Sequence, residues 1–145
     1  MIEFVVPGQP VGKGRPRVGK RGARAILYTP TKTANYEGLI AHTAQAAMAG
    51  RPLIETPVEV RLFIDCQIPA SWSQKKQRQA LAAEILPTTK PDADNVLKAL
   101  NDGLNGVVWR DDVQDTIMRK RYSATPGLRV QIRPAVTAAV ELEAA

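Results

Sequence analysis

Hydrophobic and polar residues alternate most regularly over Val58 to Cys66. This period of two predicts a half-buried β-strand, which Pro69 closes. Shorter runs predict a strand over Ile2 to Val6 and another over Leu128 to Ile132, the latter after a turn at Pro126. Two further strands are predicted over residues 25–28 and 113–122.

Helical spacing of apolar residues and capping signals mark three other segments. Thr31 to Met48 predicts one helix. A second is predicted to open at Ser71 with a capping box and to run to about Glu84. A third is predicted to start near Asp94, as N-cap or early in the first turn, and to end at Gly106.

Together these elements predict an α+β fold in which a small mixed β-sheet packs with about three helices. At 145 residues with 44% hydrophobic content, the chain suits a single domain over residues 1–145 with one core. Residues 7–24, rich in Gly, Lys and Arg, are predicted to form a basic loop. No apolar run approaches the length of about 20 residues that a membrane span needs, so no membrane partner is expected.

Cysteine usage and the amino terminus favour one cellular compartment. Cys66 is the only cysteine, so an intramolecular disulfide is excluded. Met1 to Val6 is too short for the apolar region of a signal peptide, and Pro7 follows it. We therefore expect a cytoplasmic protein. Because Cys66 falls on the apolar side of its strand, we expect its thiol to be buried.

The net charge of +6 comes entirely from the amino-terminal quarter of the chain. Residues 1–36 hold seven basic residues and one acidic residue, whereas the remainder is balanced. Cations interleaved with glycine would let the backbone approach phosphates, so a polyanion such as DNA is the expected partner. A solvated, mobile loop is the alternative. The residues expected to touch DNA are Lys13, Arg15, Arg17, Lys20 and Arg21.

Six of the seven aspartates lie in the segment 92–115. Asp92 and Asp94 stand two residues apart near the start of the third helix, and Asp111 and Asp112 stand in a later turn. Short carboxylates of this kind are ligands that Mg2+ prefers. The alternative is that each aspartate caps a helix or stabilises a turn without a metal.

If the fold brings Asp112 beside Asp92 and Asp94, a bound Mg2+ or Mn2+ would relieve their mutual repulsion. The ion would lower the pKa of a water for in-line attack on a phosphodiester and stabilise the departing oxygen. Lys98, one turn after Asp94, could neutralise a phosphate oxygen in the transition state. The alternative for Lys98 is an i, i+4 salt bridge to Asp94.

The same residues carry a resemblance to a known family. The segments DADNVLK (92–98) and WRDDVQ (109–114) resemble two linked motifs of the RusA family of Holliday-junction resolvases, which bacteriophages and prophages often encode. The match is close from Lys90 to about Arg121, and it is looser over the strand at 57–66 and over the basic segment.

By position, this resemblance implies that Asp92, Asp94 and Asp112 are essential metal-binding carboxylates, that Lys98 is catalytic and that Asp111 assists. It further implies a mixed α/β fold, a homodimer, and dependence on Mg2+ with Mn2+ as a substitute. The implied reaction is a pair of symmetric nicks in a four-way junction. A two-fold dimer suits a junction that is itself roughly two-fold.

Two features leave alternatives open. Compared with shorter members, the chain has a helix-bearing insertion at about 71–89, whose effect on DNA docking is open. Asp65, at the end of its strand, either approaches the site or is a surface carboxylate. Two other functions also stay open: a nuclease that cuts flaps or replication forks, and a nonenzymatic basic DNA-binding protein whose aspartates only cap helices.

Overall fold

Three helices and six strands make up the described part of the chain. The computed structural model describes residues 1–14, 17–22, 24–28, 30–110 and 115–135, and for Arg17, Arg21 and Tyr28 it describes the backbone alone. The elements are β1 (Ile2–Pro7), β2 (Arg17–Arg21), β3 (Arg24–Tyr28), α1 (Thr31–Met48), β4 (Val58–Gln67), α2 (Gln74–Leu81), α3 (Ala93–Leu104), β5 (Asp115–Ser123) and β6 (Gly127–Pro134).

Four of the strands form one mixed sheet in the order β1–β6–β4–β5. β4 pairs parallel with β5 and antiparallel with β6, which in turn pairs antiparallel with β1. β4 lies inside the sheet, and its Val60, Leu62 and Ile64 are almost completely buried. A parallel pair needs a long crossover, and the segment that holds α2 and α3 supplies it. The predicted α+β fold, with a mixed sheet and three helices, is confirmed.

One face of the sheet forms the core together with α1 and α3. Ile40 on α1, Leu100 on α3 and Leu62 on β4 belong to the same buried cluster. The two helices approach closely at Gly103, where a Cβ would lie 2.8 Å from Ile40 Cγ2 and 3.0 Å from the carbonyl oxygen of Glu37. The absence of a side chain at this position therefore sets how near α3 lies to α1.

The amino terminus of α2 differs from the prediction. Its N-cap is Ser73, whose hydroxyl accepts a hydrogen bond from the backbone N–H of Lys76 at 3.2 Å. The cap predicted at Ser71 is wrong, because the chain first makes a turn in which the Trp72 N–H donates to the Pro69 carbonyl oxygen at 3.1 Å.

The bounds of the helices otherwise follow the sequence pattern closely. α1 has the predicted bounds, while α2 ends at Leu81, before the predicted Glu84. α3 is capped by Asp92, so Asp94 occupies the first turn, the second of its two predicted positions. α3 ends at Leu104, near the predicted stop. In the ranges given above, no helix has both the length and the apolar character needed to cross a membrane.

A two-stranded sheet includes part of the segment 7–24, which the sequence predicted as a loop. β2 pairs antiparallel with β3 around a turn at Gly22, whose φ is 67°. β2 escaped prediction because its Gly, Lys and Arg residues do not alternate with apolar ones. The other predicted strands are observed. For the strand predicted over 113–122, β5 begins at Asp115, and residues 113 and 114 lie outside the described part.

Candidate active site at the start of helix α3

Asp92 and Asp94 lie at the amino-terminal end of α3. Asp92 is the N-cap, and its Oδ1 accepts a hydrogen bond from the backbone N–H of Asp94 at 3.3 Å. Carboxylates are favoured here because the first N–H groups of a helix lack intrahelical partners and the helix dipole is positive at this end. The capping role considered for the aspartates therefore applies to Asp92. The contact is long, engages one of its two oxygens and leaves the side chain exposed.

The carboxylates of Asp92 and Asp94 are not neutralised by cations in the described structure. Neither takes part in any of its ion pairs, whereas Asp65 pairs with Arg129 and Asp102 pairs with Lys13. Both residues at the start of α3 are exposed. Two nearby carboxylates without cationic partners form a setting in which a divalent cation relieves repulsion.

This pair fits the protein's share of a Mg2+ site. Mg2+ commonly takes one or two carboxylates and keeps several waters. Across the described ranges, no group of three His, Cys, Asp or Glu side chains is placed to hold a metal. Asp111 and Asp112, the other two predicted ligands, lie outside those ranges.

The residue that leads towards Asp111 and Asp112 is anchored at the other end of α3. Trp109 is buried, and its Nε1 donates to Asn105 Oδ1 at 2.9 Å directly after the helix ends. Asp92 lies at the opposite end of this 12-residue helix, which rises about 18 Å. The meeting of Asp112 with Asp92 and Asp94 therefore depends on the path of residues 111–114, and it stays a prediction.

Lys98 lies on α3, one turn after Asp94, and its side chain is exposed. The i, i+4 salt bridge to Asp94, considered as the alternative to a catalytic role, is absent from the ion pairs of the described residues. Residues four apart on a helix share one side. The Lys98 ammonium can therefore reach a phosphate that approaches the aspartates.

Lys13, predicted to touch DNA, links the basic segment to both long helices. Its N–H donates to the Asn95 carbonyl oxygen at 2.9 Å, and a Cβ on Gly12 would lie only 3.1 Å from Asn95 Cβ. Its ammonium pairs with Asp102 and lies 3.6 Å from Glu37 Oε1. The hydrogen bond to Asp102 raises the pKa of Lys13 above its ordinary value. Gly12 thus permits close packing on α3. The approach of this segment's backbone to phosphates stays a prediction.

The other predicted DNA contacts belong to the β2–β3 hairpin or to undescribed positions. Lys20 is exposed on β2. Arg17 and Arg21 form the two ends of that strand, and their side chains are outside the description. Arg15 also lies outside the described residues. The assignment of these residues to DNA contact stays a prediction.

Asp65 is not a surface carboxylate, and its approach to the site stays a prediction. It is 7% exposed, and both of its oxygens accept hydrogen bonds from Arg129, at 2.6 Å from Nε and 3.2 Å from Nη2. The Arg129 guanidinium also lies 4.6 Å from the centre of the Phe63 ring. Cys66, next to Asp65, is buried as predicted, and burial raises the pKa of its thiol.

Two clefts adjoin Asp92, and three of their lysines, Lys32, Lys90 and Lys120, were not among the predicted site residues. A cleft of about 790 Å³ lies between the basic segment, the start of α1 and the start of α3, and Lys32 and Lys90 line it. A second cleft of about 600 Å³ lies between residues 87–93 and Lys120 of β5. Lys90 stands two residues before Asp92, which offered a local signal. Lys32 and Lys120 become neighbours of the site only through the fold.

Comparison with known proteins decides the family. The family model described as endodeoxyribonuclease RusA matches residues 7–133. The chain belongs to the RusA endodeoxyribonuclease family. The match runs from the end of β1 to β6, so it includes Asp92, Asp94 and Lys98, and the resemblance carried by the sequence motifs is confirmed. A RusA-family chain is an endodeoxyribonuclease, and its substrate is DNA.

A relative of similar length matches nearly the whole chain. The "Uncharacterized protein YqaN" of Bacillus subtilis (strain 168) is 36% identical over 138 residues, which cover 91% of this chain and 95% of the relative. The similarity therefore extends over nearly the whole of both chains, beyond the two RusA motifs. Its description names no substrate.

Proposed function

We propose that this protein is a metal-dependent endodeoxyribonuclease that resolves four-way DNA junctions by paired symmetric nicks. The observation that carries the proposal is the exposed pair Asp92 and Asp94 at the start of α3, which has no cationic partner among the described residues. The RusA family match over residues 7–133 supports the assignment to DNA hydrolysis.

In this proposal the aspartates hold a Mg2+ ion, for which Mn2+ can substitute. Asp92 and Asp94 provide two carboxylates, and Asp112, assisted by Asp111, completes the ligand set. When bound, the ion supplies a water of lowered pKa and stabilises charge on the departing 3' oxygen. Asp92 also caps α3 through one oxygen, which fixes its backbone relative to Asp94.

Lys98 has a separate role in the proposal. Its ammonium neutralises a nonbridging oxygen of the phosphate as negative charge develops in the transition state. Placement on the same helix as Asp94, rather than on a loop, fixes its backbone with respect to the carboxylates. Lys98 therefore contributes more to the rate of DNA cutting than to the affinity for DNA.

The proposal includes a homodimer acting on DNA in the cytoplasm. One set of aspartates in each subunit gives two active sites, and two-fold symmetry places them on strands of like polarity in a roughly two-fold junction. Light scattering should give a mass twice the 15.8 kDa of one chain. A monomeric mass in the presence of junction DNA would contradict paired nicking.

The decisive experiment replaces Asp94 by Asn and measures binding and cutting separately. Asn keeps the size of the side chain and removes its charge, so the variant should bind a junction as the unaltered protein does. Its Mg2+-dependent cutting should be lost. If the variant cuts the junction at an unchanged rate, Asp94 is not part of the active site. An unaltered protein that binds DNA but cuts none with Mg2+ or Mn2+ would be a nonenzymatic binder.

Substrate choice is tested on a gel that compares a mobile junction, a flap, a replication fork and a plain duplex. Junction resolution predicts two nicks, symmetric about the crossover and in strands of like polarity. Faster cutting of flaps or forks, or single asymmetric nicks on the junction, would assign the protein to flap or fork cleavage instead.

A further inference from the structure

The two clefts beside Asp92 share part of their walls. Lys90 and Asp92 line both the cleft of about 790 Å³ and the cleft of about 600 Å³. The first leads towards Lys32 at the start of α1, and the second leads towards Lys120 on β5. Asp92 therefore lies between two adjoining clefts, which we together call the Asp92 groove.

The Asp92 groove is basic on both sides of its single described carboxylate. Lys32 and Lys90 are exposed, and neither they nor Lys120 enters an ion pair with a described residue. Lys13 also lines the first cleft, but Asp102 and Glu37 already compensate its charge. The Lys120 ammonium is held in place, since it donates to the Thr89 carbonyl oxygen at 2.5 Å.

The size and charge of the groove indicate which kind of ligand it can bind. Each cleft has a volume in the range of about 300–1,000 Å³ that is usual for sites of small ligands. Such a space has the size of a few nucleotides of one strand. Cations on both sides of an acidic centre attract a chain of phosphates while leaving the central phosphate beside the aspartates.

We infer that the Asp92 groove holds one DNA strand, with Lys32 and Lys120 binding phosphates on opposite sides of the phosphate that faces Asp92. Lys90 neutralises the phosphate nearest the carboxylates. This inference rests on the proposed function, because it assigns the path of the strand to be cut. It replaces Lys13 by Lys32, Lys90 and Lys120 as the cations that position the strand.

The test measures coupling between single lysines and single phosphates. The chain is titrated with junction DNA in Ca2+, which allows binding to be measured apart from cutting, with one phosphate at a time replaced by an uncharged methylphosphonate. The same titration is repeated with Lys32→Met, Lys90→Met and Lys120→Gln, the last of which keeps a donor for Thr89. Lys75→Met, an exposed position on α2 outside both clefts, is the matched control.

If a lysine binds a given phosphate, the charge of that phosphate should contribute to DNA affinity only when the lysine is present. Replacement of the phosphate should weaken binding by the unaltered protein about tenfold, which is within the range for a charge-assisted contact, and should have little further effect on the matching variant. Lys32 and Lys120 should couple to phosphates on opposite sides of the one coupled to Lys90. Each groove variant should also lower the slope of log affinity against log salt by about 0.7, and Lys75→Met should not.

The outcomes separate the strand path from the proposed function. No coupling at any phosphate for Lys32 and Lys90, whose side chains are exposed and whose variants should fold, would overturn the path even if the protein cuts junctions. Coupling of Lys32 and Lys120 to phosphates on the same side would overturn it as well. If the protein cuts no DNA but the ordered coupling is found, the nuclease proposal fails and the groove stands as a strand-binding site.

Discussion

At the scale of single residues, Asp92 serves both the helix and the proposed chemistry with one carboxylate. Its Oδ1 caps α3, and its exposed side chain is accessible to the metal ion of the proposed function. The two explanations weighed for the aspartates, capping and metal binding, are therefore compatible at this position. They differ in what they demand, since capping needs an acceptor oxygen of either Asp or Asn, whereas Mg2+ strongly favours the charged carboxylate.

Two substitutions at Asp92 separate these roles. Asp92→Asn should keep the cap and change the free energy of unfolding by less than about 0.5 kcal/mol, while Asp92→Ala should lose about 1 kcal/mol. Both should lower the Mg2+-dependent cutting rate at least about 100-fold. Urea unfolding and single-turnover cutting of a junction measure the two effects. Cutting by Asp92→Asn at the unaltered rate would leave Asp92 with capping alone.

Lys98 offers a second prediction at this scale. Lys98→Met should lower the cutting rate about 100-fold, because a donor that acts on transition-state charge contributes this much in related cases, and should change the Kd for junction DNA less than about threefold. Rates at saturating DNA and titrations in Ca2+ measure the two quantities. Lys75→Met should change neither. A rise in Kd as large as the fall in rate would assign Lys98 to binding of the ground state.

At the scale of secondary-structure elements, the site depends on how α3 lies against α1. Gly103→Ala would place a Cβ 2.8 Å from Ile40 Cγ2 and 3.0 Å from the backbone oxygen of Glu37. We expect the free energy of unfolding to fall by about 1–3 kcal/mol, because overpacking outweighs the better helix propensity of Ala. Thermal and urea unfolding measure the change.

Gly38→Ala is the matched control for this helix crossing. Gly38 is also within a helix, but it is exposed and a Cβ there would meet nothing within 4 Å. The substitution should raise the free energy of unfolding by about 0.5–1 kcal/mol. A Gly103→Ala protein as stable as the Gly38→Ala protein would mean that the helices can separate without cost.

The elements that the sequence predicted best are those whose pattern reflects one buried face. α1 and β4 place apolar residues at periods of 3.6 and 2 because each contributes to the core, so their positions could be derived before any contact was known. The cap of α2 could not be derived in this way. The choice of Ser73 over Ser71 depends on a turn between Pro69 and Trp72 that precedes the helix. The local sequence pattern predicts which residues are buried. It does not predict which of two similar serines caps the helix.

The candidate site was predictable to a similar extent and for a related reason. Asp92, Asp94 and Lys98 share one helix, so their spacing alone placed them together. The approach of Lys120 to the start of α3 is different, because it depends on the parallel pairing of β5 with β4 across a long crossover. The close packing of Gly12 against Asn95 on α3 likewise depends on the fold and not on a local pattern.

At the scale of the whole molecule, positive charge and carboxylates occupy different parts of one chain. The excess charge of +6 lies within residues 1–36, which include the β2–β3 hairpin and the start of α1. The proposed metal ligands are Asp92 and Asp94 at the start of α3 and Asp111 and Asp112 later in the chain. A basic surface attracts the polyanion over a distance, while the carboxylates of Asp92 and Asp94 repel a phosphate placed beside them until a divalent ion is bound. DNA binding and DNA cutting should therefore respond to different substitutions.

The hairpin and α2 give a direct comparison of two basic surfaces. Lys20 and Arg24 on the hairpin are exposed, as are Lys75 and Arg78 on α2. If the hairpin binds backbone phosphates, the double variant Lys20→Ala, Arg24→Ala should lower the slope of log affinity against log salt by about 1.8, or about 0.9 for each duplex phosphate that is no longer neutralised. Cutting at saturating DNA should change little, because neither residue adjoins Asp92.

The double variant Lys75→Ala, Arg78→Ala should leave the salt slope unchanged, since an exposed helix face with several cations is commonly solvated. It removes the same number of charges, so a general effect of net charge would appear equally in both variants. Equal decreases in slope would therefore contradict specific binding by the hairpin. A decrease confined to the α2 variant would assign duplex binding to the segment 71–89, whose Trp72 packs against Tyr122 of β5.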